Sequence, residues 1–340
     1  MSQKPDKRMG WEIARDLERE KASIWERIVP EWRQIRAAVG GMALFFVVFL
    51  LGCWLAGDST RLADNQVMID HGWAGTNEWG RIWSVILLAL VFEFMDASAG
   101  MGFGTALTPV LLVMGFHPLQ IVPVVLIQQT VAGLVGAFLH REFQNVEWRF
   151  RPLSETVRLC LLIAAAGSVF VLAATIGIYG VFDVGAIWIK LYVALLLLGM
   201  GVISLVQSRR ERPYRPRLLI FFGALSGFNK GVGGGGYGPV VTIGGLLAGV
   251  PVKSMLAVTA LSEGIVCLVA VLAWFGMAMH GVEVDYVLLP SIMLASMVSA
   301  VVASYFTRVF PERIWRVVVP GDCLVVVGMT LWKMWPGLER

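Results

Sequence analysis

The chain has 340 residues, of which 57% are hydrophobic and 15% charged, and its mean hydropathy is +0.72. A soluble domain carries about 25% charged residues, so the composition excludes an ordinary globular protein and indicates an all-α polytopic membrane protein. The net charge is only +4, and the 28 Lys and Arg sit mostly in the N-terminal segment and two loops, a pattern of membrane orientation rather than nucleic-acid binding.

Residues 1–36 are polar and carry both signs of charge. Trp11, Ala14, Leu17, Ile24, Trp25 and Ile28 recur at roughly helical spacing. That fits a cytosolic amphipathic segment on the membrane surface, or a loosely ordered tail. The charged stretch is too long for the n-region of a signal peptide, and no small-x-small cleavage site follows it. Residues 37–56 form an extra N-terminal transmembrane helix. Residues 57–81 form a periplasmic loop poor in basic residues, with Asp58, Asp64, Asp70, His71 and Glu78.

A broken pair follows, 82–98 and 104–116. About 20 residues cross the hydrocarbon, so the two pieces together are too long for one crossing and each alone is short. A re-entrant hairpin resolves both problems. Spans at 118–139, 157–180 and 186–207 complete a first repeat, 82–207. The loop 140–156 carries Arg141, Arg149 and Arg151, and the basic cytosolic loop 208–217 carries Arg209, Arg210, Arg212, Arg215 and Arg217. A second broken pair, 217–230 and 235–248, precedes spans at 252–277, 285–308 and 311–333, giving a second repeat, 218–335. Cys53, Cys160, Cys267 and Cys323 lie in apolar segments without paired spacing and read as small buried hydrophobes.

With the N-terminus in the cytoplasm, every basic cluster falls on one face. A hairpin plus three spans makes an odd number of crossings, so the two repeats are inverted. The C-terminus then lies outside.

The two breaks align. Asp96-Ala-Ser-Ala-Gly100-Met-Gly102-Phe-Gly104-Thr-Ala-Leu-Thr-Pro109 falls on Ser226-Gly-Phe-Asn-Lys230-Gly-Val-Gly-Gly234-Gly-Gly-Tyr-Gly-Pro239. Paired Gly/Pro interruptions in two halves point to a transporter binding site at the midplane. The interrupted helices free backbone N–H groups near Gly104–Thr105 and Gly234–Gly235, where anions bind. An anion between the two tips is therefore expected, contacted by Gly102, Gly104, Thr105, Thr108, Ser226, Asn229, Lys230, Gly233, Gly234 and Gly235. Gln129 and Ser262, at matching places in the following helices, join that set, with Gln128 as a further lining residue.

Four ionisable residues stand out within the spans, where each is costly and a functional candidate by default: Glu93, Asp96, Lys230 and Glu263. Lys230 is placed to neutralise an anion. Glu263, Asp96 and Glu93 are candidates for proton coupling or an ion pair that positions the hairpins. The Gly-x-Gly-x-x-Gly match at Gly231, Gly233 and Gly236 is no dinucleotide signal, because no strand precedes it. No catalytic, cofactor or metal-ligand pattern is present, and no enzyme is expected.

The Gly100–Pro109 and Gly231–Pro239 motifs resemble the TauE/SafE sulfite exporter family, the sulfite or sulfonate permeases. The resemblance covers about 82–333. Phe103 and Thr105 interrupt the glycines of the first motif. Membership implies a multi-pass bacterial inner-membrane carrier exporting sulfite, a sulfonate or a related small anion by alternating access. The expected partners are that anion and the lipid bilayer, with a homodimer as the candidate assembly. The competing reading is a cation carrier or channel that uses the intramembrane carboxylates.

Overall fold

The computed structural model describes residues 28–57, 77–100, 103–180, 213–282 and 284–311, with scattered positions at 9–12, 195–202 and 314–328. Nine α-helices and one π-helical turn are present among the described residues. The predicted segments 1–27, 58–76, 186–207 and 311–333, and Gly102, fall outside the described residues apart from isolated positions.

Helix α1 spans Trp32–Ala56. It begins ahead of the predicted 37 because Glu31 and Gln34 cap it reciprocally, with the Glu31 N–H donating to Gln34 Oε1 at 2.9 Å. At 1.5 Å per residue it is about 37 Å long, enough to cross the hydrocarbon. Trp32 and Trp54 stand exposed near its two ends, as interfacial aromatics do.

Helix α2 spans Glu78–Ala99 and starts at Asn77, whose side chain accepts from the Gly80 N–H at 2.7 Å. It outruns the predicted arm 82–98 and is long enough to cross a membrane unaided. Gly100 ends it, and a π-helical turn at Phe103–Leu107 leads into α3, Thr108–Val113. Then come α4 (Pro118–Glu142) and α5 (Glu155–Gly180). The second half holds α6 (Pro216–Gly233), α7 (Tyr237–Leu247), α8 (Val252–Met279) and α9 (Leu289–Val309). Six helices among the described residues are long and apolar enough to span a membrane: α1, α2, α4, α5, α8 and α9.

The packing has a regular pattern. Helix α5 lies against α6, and α2 lies against α9. Helix α8 touches α5, and α9 touches α4. Helices α4 and α8 pack on each other in the middle. Exchanging α2, α4 and α5 for α6, α8 and α9 returns the same set of contacts. Helix α1 has no counterpart among the described residues and packs on α9 and α4. Two apolar clusters flank the α4–α8 crossing. One gathers Phe45, Phe92, Leu111, Val125 and Ile292. The other gathers Leu126, Ile163, Leu219, Val241 and Val266.

The crossing of α4 and α8 depends on small residues, because in lipid the helices are held by close van der Waals packing. A Cβ at Gly133 would stand 2.6 Å from the Ala260 carbonyl oxygen and 2.7 Å from the Gly264 Cα. At Gly136, one turn away, the nearest atom would be Ala260 Cβ at 3.7 Å. Gly133→Val is therefore expected to destabilise the protein by about 1–3 kcal/mol through overpacking, while Gly136→Ala stays near wild type. Thermal unfolding of both variants in detergent checks the order; equal midpoints would refute it.

Candidate functional site

The second break follows from two glycines. Gly234 (φ +69°) ends α6, its N–H donating to the Lys230 carbonyl at 2.9 Å, and Gly236 (φ +83°) caps α7. Both sit in the left-handed region that other residues avoid. Lys230 thus lies inside the last turn of α6, and the helix resumes at Tyr237, slightly later than the expected Gly234–Gly235. In the first break the register differs. Helix α2 stops at Gly100, a full turn earlier relative to Pro109 than α6 stops relative to Pro239. The additional turn of α6 carries Lys230.

The two breaks touch backbone to backbone. A Cβ at Gly104 would lie 2.5 Å from the Gly234 oxygen, and one at Gly235 would lie 2.5 Å from the Gly104 carbonyl carbon. Thr105 Oγ1 accepts from the Gly236 N–H at 2.7 Å. The freed donor at the second tip is therefore capped by the first tip. The space expected to seat an anion between the tips is filled by protein in this conformation.

The polar centre lies beside the tips, where α6, α4 and α8 meet. Lys230 is fully buried. Its Nζ lies 2.8 Å from Glu263 Oε1 and also donates to Gln129 Oε1. A second cluster, on α2, α4 and α9, mirrors it. There Gln128 Nε2 donates to Glu93 Oε2 at 2.7 Å and approaches Ser296 Oγ at 2.9 Å. A narrow cavity, with about 30 Å³ of room for water, joins the clusters. Glu93, Asp96, Gln129, Thr259 and Glu263 line it. Three carboxyl groups thus face one small cavity, and one of them, Glu263, pairs with the Lys230 ammonium.

The remaining predicted residues are placed less directly. Ser226 donates to the Gly223 carbonyl of its own helix at 2.8 Å, and Ser262 to the Thr259 carbonyl at 3.2 Å. Asn229 is fully buried with neither side-chain polar atom hydrogen-bonded, and Thr108 Oγ1 is likewise unpartnered. Gly233 closes α6. No group of His, Cys, Asp or Glu among the described residues has the arrangement of a metal site.

Sequence reasoning missed Ser296, the Thr242–Thr259 hydroxyl pair at 2.9 Å, and His140. His140 reads as loop when α4 is ended at 139, but the helix runs on to Glu142 and brings the imidazole to the cavity wall. The spaced glycines Gly133 and Gly136 on the same helix were the available signal for that face.

Residues 85–330 match the family described as Sulfite exporter TauE/SafE. The Bacillus subtilis (strain 168) protein named "Probable membrane transporter protein YtnM" is 25% identical over 258 residues, 73% of this chain and 82% of that relative. No solved structure matches the chain at a significant level. The family segment starts within α2 and contains both breaks, Lys230 and Glu263, while α1 lies outside it. The match spans most of the chain, and with the multi-pass helical architecture it means that the protein is a membrane transporter belonging to the sulfite exporter TauE/SafE family.

Proposed function

We propose that the protein is a secondary transporter that exports a small anion of the sulfite or sulfonate class by alternating access, with proton coupling through Glu263. The observation that carries the reading is Lys230, a buried cation held against Gln129 and Glu263 on the edge of the cavity. An arriving anion competes with Glu263 for the ammonium. A proton on Glu263 removes that competition. Anion and proton then bind together and move in the same direction. For a monoanion that cycle carries no net charge, so export proceeds when the anion's excess inside the cell outweighs the inward pull of the pH gradient on the proton.

The exchangeable contact pattern supports two inverted repeats, with the hairpins α2–α3 and α6–α7 meeting at their tips. The basic clusters, which share one face under the positive-inside rule, support a cytoplasmic N-terminus and a bacterial inner-membrane location. The cavity is narrow in this conformation, so seating an oxyanion beside Lys230 requires the surrounding helices to move apart.

A second reading is favoured by one observation, the three carboxyl groups on the cavity wall: a cation carrier that uses Glu93, Asp96 and Glu263. Flux into liposomes separates the two. Sulfite, sulfate, thiosulfate, sulfonates and small carboxylates are presented with and without a pH gradient. Saturable movement of one sulfur oxyanion, accelerated when protons can follow it, is the expected result. Movement of cations with none of these anions would overturn the proposal.

A further inference from the structure

The cavity continues beyond the central cluster. Its wall follows one face of α4 through Gln129, Ala132, Gly133 and Gly136 to His140. At 1.5 Å per residue that path is about 16 Å long. Leu256, Thr259 and Ala260 of α8 and Ser304 of α9 form the opposite wall.

Polar side chains gather at the far end. Asn145 Nδ2 lies 2.9 Å from His140 Nδ1 and 3.5 Å from the Ser304 carbonyl. Ser254 Oγ donates to the Asn145 carbonyl at 3.0 Å. Just outside, α1 enters. Arg33 grips Glu142 with both Nε (2.6 Å) and Nη2 (3.1 Å). Gln34, itself buried, donates through Nε2 to the Glu142 carbonyl at 3.0 Å and accepts from Arg308 Nη1. Lys253 Nζ reaches the Arg308 carbonyl at 3.3 Å. One turn of α1 thereby ties the end of α4, from the first half, to the end of α9, from the second.

An ionic knot of this kind, with Glu142 and Arg308 buried and Arg33 largely exposed, adds little net stability. Its distinguishing property is reversibility. When it parts, every exposed group finds water, whereas an apolar plug would expose hydrocarbon. Helix α1 otherwise buries little of itself, and it lies outside both the family segment and the contact exchange of the two halves.

We propose that this knot is a gate on the face of the membrane where α1 begins, and that α1 is one of its leaves: the cavity opens when Arg33 and Gln34 separate from Glu142 and Arg308. The proposal rests on the transporter reading but on no particular substrate.

Gly136→Cys reports on it, because a Cβ there has 3.7 Å of clearance. The full-length protein, with its native cysteines replaced by alanine, is labelled in detergent with a water-soluble maleimide. The cysteine is expected to react slowly. Arg33→Ala and Glu142→Ala are each expected to raise its rate about fivefold, the order set by losing one half-exposed ion pair. The charge-swapped double variant R33E/E142R is expected to restore the slow rate. Arg33 is largely exposed, so its alanine variant keeps the fold even where Glu142→Ala does not. Unchanged labelling in folded Arg33→Ala, or rapid labelling in the parent, would overturn the gate. Accelerated labelling in a protein that moves no anion would leave the gate standing and remove the anion reading.

Discussion

Lys230→Ala is expected to abolish anion flux and to lower the thermal midpoint as well. The ammonium is the one group that both partners, Glu263 Oε1 at 2.8 Å and Gln129 Oε1, share. Removing it leaves a carboxyl group buried without its counter-charge, and deleting one member of a buried pair costs about 3–5 kcal/mol. Lost flux alone would therefore be ambiguous. The double variant K230M/E263Q removes both charges and keeps the volume, so it is expected to recover most of the midpoint and none of the flux. Glu263→Gln alone keeps the cation in place and is expected to retain anion movement while losing its response to a pH gradient. Normal flux through K230M/E263Q would rule Lys230 out as the anion's counter-charge.

The second large effect lies at the tips. Gly235→Ala puts a methyl group 2.5 Å from the Gly104 carbonyl carbon and 2.7 Å from the Thr105 nitrogen, and neither main-chain atom can turn aside. The breaks must separate, at a cost of about 1–3 kcal/mol and with loss of flux. Gly234→Ala is a contrasting control. Its methyl group meets nothing closer than Val122 at 3.5 Å, but its φ of +69° is left-handed. That substitution costs about 1–2 kcal/mol in backbone strain and leaves the tips in contact. Both variants are destabilised, but only Gly235→Ala is expected to lose transport out of proportion to its midpoint. Flux per folded molecule separates them; equal loss in both would show that the tip contact has no special role.

The hydrophobic runs, the Gly/Pro interruptions and the few intramembrane charges were all legible as sequence, because each violates or satisfies a strong rule of the bilayer. That is why both breaks and Lys230, Glu263, Asp96 and Glu93 could be named without coordinates. What could not be read was how the breaks meet. Free N–H groups at a helix start predict an anion, yet Thr105 supplies the acceptor from the other half of the chain. Side-chain partners so distant in sequence leave no local trace. The same holds for Gln34 with Arg308 and for Gln128 with Ser296. His140 was lost for a simpler reason: a helix end placed three residues early turned a wall residue into a loop residue. The expected arm 82–98 was short because Asn77 caps α2 from within a polar stretch that hydropathy alone assigns to a loop.

The hydrogen bond from the Gly236 N–H to Thr105 Oγ1 also bears on what the protein does while idle. Parting the tips with nothing between them strands a donor away from water, at a cost of about 1–3 kcal/mol. A guest with acceptor oxygens replaces the lost partner, and an empty centre does not. Parting of the empty tips is thereby made about fivefold to more than a hundredfold rarer, so the return of the empty carrier is the expected slow step of the cycle.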